Sequence, residues 1–160
     1  MKIGIISDTH GSMEAVEKAL GAAQGVEMWL HAGDCTPDAG YLRSMTDAPV
    51  FAVAGNCDWP NADVPDERMV EAGGHRIILV HGHLYGVRYE TDLLKQAAAS
   101  KGADIAVYGH THIADITPGE IFVLNPGSAS RPRDEMRPSF MIAELEPGQA
   151  PRVELIRMHP

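Results

Sequence analysis

Short β-branched runs that stop abruptly on a metal-ligating side chain constrain this sequence more than any other feature. Five times, a run of strand-forming residues gives way to a turn carrying such a group. Asp8-Thr9-His10 follows residues 2–6, Gly33-Asp34 follows 27–32, and Gly55-Asn56 follows 50–54. His81-Gly82-His83 follows 76–80, and Gly109-His110-Thr111-His112 follows 105–108. In open α/β sheets, binding groups gather beyond the carboxyl ends of the strands, so the pattern predicts a sheet edge where five turns converge. Three of the turns place glycine directly before the polar residue and a fourth places it directly after. A backbone without Cβ can turn sharply there and approach a ligand closely.

The intervening segments support that reading. Ser12 is placed to cap a helix over about 13–23, with Glu14 in its first turn, and a short helix is expected near 38–45. This βαβαβ opening predicts parallel strands with helices packed on the sheet. In the second half, 68–71 and 76–80 flank Gly73-Gly74 as a hairpin, and 91–100 reads as a helix. Residues 113–117 and 121–124 flank Pro118-Gly119, while 140–145 and 153–156 flank Pro147-Gly148, both as antiparallel pairs. There is no internal repeat, linker or low-complexity tract. The expectation is an α/β fold of two mixed sheets stacked face to face, helices outside, in one domain over 1–160.

Bulk properties narrow the function. At 160 residues, with 44% hydrophobic and 22% charged, the chain has the composition of a globular domain with a sizeable core. No apolar run approaches the ~18 residues of a membrane span, and the apolar start is too short for a signal-peptide core. Two cysteines, Cys35 and Cys57, make no disulfide framework, so a reducing cytoplasm is the expected compartment. The net charge of −9 argues against non-specific binding to nucleic acid or anionic membranes. An anionic substrate remains compatible, because bound cations reverse the sign locally.

Asp8 and His10 lie two positions apart, as do His110 and His112. In extended chain, such pairs leave on one face roughly 6 to 7 Å apart at the backbone, a workable span for one ion or two neighbouring ions. Carboxylate, amide and imidazole together suit Mn, Fe, Co, Ni or Zn. Seven candidate ligands (Asp8, His10, Asp34, Asn56, His81, His110 and His112) are too many for a four-coordinate zinc site. Two ions sharing one carboxylate fit better.

In this order, the five motifs resemble those of the calcineurin-like metallophosphoesterase superfamily. Asn56-Cys57-Asp58 and Asn125-Pro126-Gly127-Ser128, with Pro132-Arg133 just after, resemble its small prokaryotic phosphodiesterase branch, and the likeness runs over residues 3–133. The resemblance implies a four-layer α/β sandwich and two divalent metal ions, Mn first among the candidates. It assigns Asp8, His10 and His112 to one metal and Asn56, His81 and His110 to the other, with Asp34 bridging. His81 is preferred to His83 because the family ligand directly precedes the glycine. The implied reaction on a small phosphate ester is in-line attack on phosphorus by a metal-bridging hydroxide. Asp34, Asn56 and His110 would act through the metals, without a separate nucleophile. Many superfamily phosphatases carry histidine where this chain has Cys57. A thiol of pKa ~8.5 is a poorer proton donor than a histidinium of ~6.5, which biases the site towards diesters or activated leaving groups.

Other residues have plainer readings. His31 is expected in the core, His75 on a hairpin surface and His159 at a frayed terminus, while Cys35 is expected to pack as a small residue. Cys57, His83, Arg131 and Arg133 are the candidate substrate contacts, the arginines gripping phosphate or else solvated. Trp59, Tyr85 and Tyr89 line a groove or pack. The compact chain leaves little for a substrate cap, so the site should be shallow, and a homodimer or higher oligomer would supply a wall. Two alternatives stand beside the phosphodiesterase: a phosphomonoesterase or nucleotidase, and a non-catalytic scaffold like the retromer subunit that shares this fold. That subunit has lost ligand character at part of its site, whereas all seven positions here carry competent ligands.

Overall fold

The computed structural model describes residues 1–60, 63–134 and 136–159. Three parallel strands, β1 (Lys2–Ile6), β2 (Met28–His31) and β3 (Val50–Ala52), are joined through helices α1 (Met13–Ala22) and α2 (Thr36–Met45). Then follow β4 (Glu67–Ala72), β5 (His75–Val80), a 3-10 turn His83–Tyr85, α3 (Asp92–Ser100) and β6 (Ile105–Val107). Strands β7 (Ala114–Thr117), β8 (Phe122–Pro126), β9 (Ser139–Glu144) and β10 (Arg152–Arg157) complete the order. One sheet runs β10-β9-β1-β2-β3 and the other β4-β5-β6-β8-β7, each mixing parallel and antiparallel pairs. All three expected hairpin pairings are present.

Side-chain alternation assembles these sheets into four layers. Along β1, Ile3 and Ile5 face the second sheet, meeting Ile77 and Leu79 of β5 and Ile105 and Val107 of β6. Ile6 and its neighbours Trp29 and Phe140 face the other way, onto Val16 and Ala19 of α1 and Leu42 of α2. On the far side, Ile78, Val80 and Ala106 pack under Leu94 and Ala98 of α3. The layers are therefore helices, sheet, sheet, helix. Among the described residues, no helix is long and apolar enough to cross a membrane.

Local chemistry sets the helix starts. The Ser12 hydroxyl accepts from the Ala15 amide, capping α1, and Glu14 pairs with Lys18 one turn on. Helix α2 begins at Thr36, two residues before the expected position, because Pro37 occupies the first turn, where no backbone donor is needed. His75 departs further from expectation. It is buried, with Nδ1 2.6 Å from Asp104 Oδ2 and Nε2 3.0 Å from the Glu146 carbonyl. The Gly73-Gly74 turn packs directly against Leu145 and Pro147, which covers the histidine next to it.

Trp29 closes the helix-side core. It is 1% exposed, lies 6.1 Å between ring centroids from Phe140, and fills the space a Cβ on Gly4 would need. Trp29→Ala is expected to cost about 3–5 kcal/mol in chemical denaturation, and a loss below about 1 kcal/mol would contradict this packing.

Candidate metal centre

The turns after β1, β2, β3, β5 and β6 meet at one edge of the sandwich. Their backbones are unusual. Asp8 (φ 53°), His10 (46°), Asp34 (57°), His110 (67°) and His112 (60°) adopt left-handed conformations, as does Cys35 (82°). Among the described residues these are all the non-glycine residues with positive φ, and five are candidate ligands. Such conformations persist only when the surroundings over-determine them. The surroundings here are close indeed. A Cβ on Gly55 would collide with the Asp34 carboxylate, and one on Gly109 with the Ser7 hydroxyl and the Asp8 carboxylate. Both positions need glycine for close approach.

Asp8, His10, Asp34 and His112 each present a ligand atom within 4.8 Å of the others, a grouping that could hold a metal ion. Hydrogen bonding fixes which atoms point inward. His112 Nδ1 donates to the Arg131 carbonyl at 2.7 Å, so its Nε2 faces Asp8 Oδ1 and His10 Nε2, each at 3.1 Å. His81 Nδ1 donates to the Ala32 carbonyl at 2.7 Å, so its Nε2 faces Asn56 Oδ1 at 3.0 Å and Asp34 Oδ1 at 3.3 Å. Asp8 Oδ2 is satisfied by the Ser7 hydroxyl at 2.6 Å and the His110 amide at 3.1 Å. Asp8 Oδ1 is buried and has no hydrogen-bond partner. An orphaned carboxylate oxygen beside imidazole nitrogens suits a cation, and this donor set suits a borderline divalent metal.

Burial alone would lower the His81 pKa, but the hydrogen bond to Asp34 and the charges of Asp8 and Asp34 outweigh it and raise it. The same pairing holds the Asp34 carboxyl well below its ordinary range, against the opposing effect of burial. His110 is lowered to about 4 by burial and by the positive charges of His81 and Arg88.

The family comparison agrees with this geometry. Residues 1–148 match the model of the calcineurin-like phosphoesterase superfamily domain. The chain belongs to the calcineurin-like phosphoesterase superfamily. A probable metallophosphoesterase of Methanothermobacter thermautotrophicus is 38% identical over 162 residues, covering 98% of this chain and 92% of that protein. Phosphodiesterase YfcE of Escherichia coli (strain K12) is 32% identical over 159 residues, covering 83% of this chain and 82% of its own length. A solved structure of a predicted phosphoesterase from Streptococcus pneumoniae TIGR4 superposes with a TM-score of 0.83 at 28% identity, covering 99% of this chain and 92% of that one. These relatives place the chain among small prokaryotic metallophosphoesterases, and the stacked mixed sheets are the sandwich of that family.

Around the metallophosphoesterase centre, several residues act as braces. Ser128 and Ser130 hydroxyls both donate to the Asp8 carbonyl, at 2.8 and 3.1 Å. Asn125 Nδ2 donates to the Gly109 carbonyl at 2.9 Å and to Thr111 Oγ1 at 3.0 Å. His31, in the core as expected, accepts from the Gly33 amide and donates to Thr9 Oγ1, and burial lowers its pKa to about 4. Asp58 closes the Asn56-Cys57-Asp58 motif, and its carboxylate accepts from the amides of Cys35 (2.9 Å), Thr36 (2.7 Å) and Gly55 (2.8 Å). It ties the turn after β2 to the turn after β3.

The expected substrate-side residues are near but differ in role. Arg131 and Arg133 line a cleft of about 420 Å³ together with His10, Asp34, His110 and His112. Sequence reasoning missed Arg88, which lines the same cleft and donates from Nε to His110 Nε2 at 3.0 Å. No periodicity marks it, since it follows an irregular turn. Cys57 is exposed. Its amide donates to Asp34 Oδ1 at 3.0 Å, and burial together with the Asp34 charge pushes its thiol up. The His83 ring lies 5.4 Å from that of His81, and its Nδ1 is buried without a partner. Cys35 sits half-buried at the rim of the centre, as the left-handed residue that starts α2. Tyr85 bonds Glu67, while Tyr89 is exposed.

Removing the Asp58 brace leaves three amides without their charged acceptor. Asp58→Ala is expected to lower stability by about 1.5–3 kcal/mol in denaturant titration, and an unchanged midpoint would show that the two turns hold without it.

Proposed function

We propose that this chain is a dinuclear metal-dependent phosphodiesterase. The observation that carries the reading is the buried, unpartnered Asp8 Oδ1 facing imidazole lone pairs in a family defined by phosphoester hydrolysis. In this proposal Asp8, His10 and His112 hold one divalent ion, Asn56, His81 and His110 the other, and Asp34 is shared. Mn is the first candidate, with Fe, Zn, Co or Ni as alternatives on the same donor set. Such ions would supply positive charge for the phosphoryl oxygens and acidify a water for attack.

The chain's own residues do the rest. The backbone carbonyls of Arg131 and Ala32 fix His112 and His81 in the tautomer that points Nε2 inward. Arg88, Arg131 and Arg133 surround the cleft and bring positive charge to an otherwise acidic chain, so they orient a phosphate as it arrives. Arg88 is a cation on the His110 lone pair, so it turns from that nitrogen to a phosphoryl oxygen when the site is loaded. Cys57, with its thiol pushed up, is a weak source of the proton that an alkoxide leaving group needs. This favours diesters with stabilised leaving groups over alkyl monoesters, and the Escherichia coli relative is itself a phosphodiesterase.

Two measurements test the reading. The Mn-reconstituted chain is expected to turn over bis(p-nitrophenyl) phosphate faster than p-nitrophenyl phosphate. Asp34→Asn should abolish this activity and lower bound metal, whereas a strong monoester preference would favour a phosphomonoesterase instead. Separately, Cys57→His should raise monoester turnover by supplying a better proton donor, and no gain would remove Cys57 as the source of the preference.

A further inference from the structure

We propose that the hollow between the start of α2 and Trp59 is a subsite for a planar aromatic arm of the diester, a nucleoside base being the natural class. This rests on the phosphodiesterase reading above and names the substrate that such a site would select. The hollow is about 540 Å³, within the range of roughly 300–1,000 Å³ common for small-molecule sites. It is continuous with the metal centre, because His10, Cys57 and Arg131 line both it and the cleft. A phosphate bound at the centre therefore has one ester arm directed along this hollow.

Its walls choose the arm. Pro37 and Pro60 are apolar, and the Trp59 indole is 89% exposed, a large π-face held in water beside the centre. The polar groups that would otherwise attract a second phosphate are already taken. The amides of Cys35 and Thr36 at the start of α2 both donate to Asp58 Oδ1, and the Gly11 amide donates to Asp38 Oδ2. These carboxylates satisfy the donors and leave negative charge behind the walls, so a further anion is disfavoured there and a neutral ring is not. Arg131 marks the phosphate end and Trp59 the ring end. Stacking on an indole accepts any base, since every base has a π-face. The arrangement selects for aromatic or nucleoside diesters against glycerol diesters, without selecting among bases.

The chain has two tryptophans, and Trp29 is buried at 1% exposure, so ligand-induced changes in indole emission report on Trp59. The test titrates the Mn-reconstituted chain with adenosine 5′-monophosphate and, separately, with glycerol 3-phosphate. The adenylate should quench the emission and the glycerol phosphate should not. In calorimetry, Trp59→Ala should weaken adenylate binding about tenfold more than glycerol phosphate binding, with Trp59→Phe restoring most of the difference. Because Trp59 is solvent-exposed, both variants are expected to fold. Equal losses for the two ligands, or an undiminished adenylate affinity in Trp59→Ala, would overturn the subsite. Turnover of diesters by the parent chain is a separate readout. Its absence would sink the phosphodiesterase reading, while the binding comparison would still decide the subsite.

Discussion

Lone pairs from opposite sheets crowd together at one edge of this molecule, and that crowding organises the rest. His81 Nε2 lies 4.0 Å from Asp8 Oδ1, 3.3 Å from Asp34 Oδ1 and 3.0 Å from Asn56 Oδ1, and His112 Nε2 lies 3.1 Å from Asp8 Oδ1. Carboxylate and amide oxygens do not crowd imidazole nitrogens this way in a dry interior without positive charge among them. The backbone carbonyls of Ala32 and Arg131 prevent escape by rotation, since each holds its imidazole from behind. The left-handed turns at Asp8, His10, Asp34, His110 and His112 are the conformational expression of the same demand. At about 1–3 kcal/mol each, such residues would be selected against in an ordinary loop. They persist because the glycines beside them allow close approach and the core beneath them does not yield.

That core explains why the edge can be so demanding. The two sheets meet through a layer of Ile, Leu, Val, Met, Ala and Phe side chains; α1 and α2 back one sheet and α3 the other. Ile6, His31 and Ala52 end their strands side by side, and across both sheets the candidate ligands lie only one to five residues beyond the strand ends. The bracing groups, Asp58, Asn125, Ser128 and Ser130, then link turn to turn. None of them carries chemistry in the proposed reaction. They set the positions of those that do.

Much of this was legible in the sequence, because the signals were local. β-branched runs ending on Gly-Asp, Gly-Asn or Gly-His announced both strand and turn, and the order of the motifs identified the family. The departures have one physical origin: contacts between residues far apart in the chain. His75 follows a Gly-Gly turn, which reads as surface, yet the tip of that hairpin is covered by residues 145–147. Arg88 sits after a 3-10 turn with no repeating pattern, and only the three-dimensional path brings it to His110. Asp58 looked like part of a motif, and nothing local tells that its oxygens collect amides from the neighbouring turn. The early start of α2 is the exception, a matter of Thr36-Pro37 being readable as loop or as first turn.

The centre draws Asp8, His10, Asp34 and Asn56 from turns of one sheet and His81, His110 and His112 from turns of the other. A cation gripped by both groups would therefore act as a rivet through the seam of the sandwich. Its grip would exist only while the two halves stay together, so occupancy and cohesion rise and fall as one quantity. Chelation would then loosen the whole body rather than merely silence one corner of it.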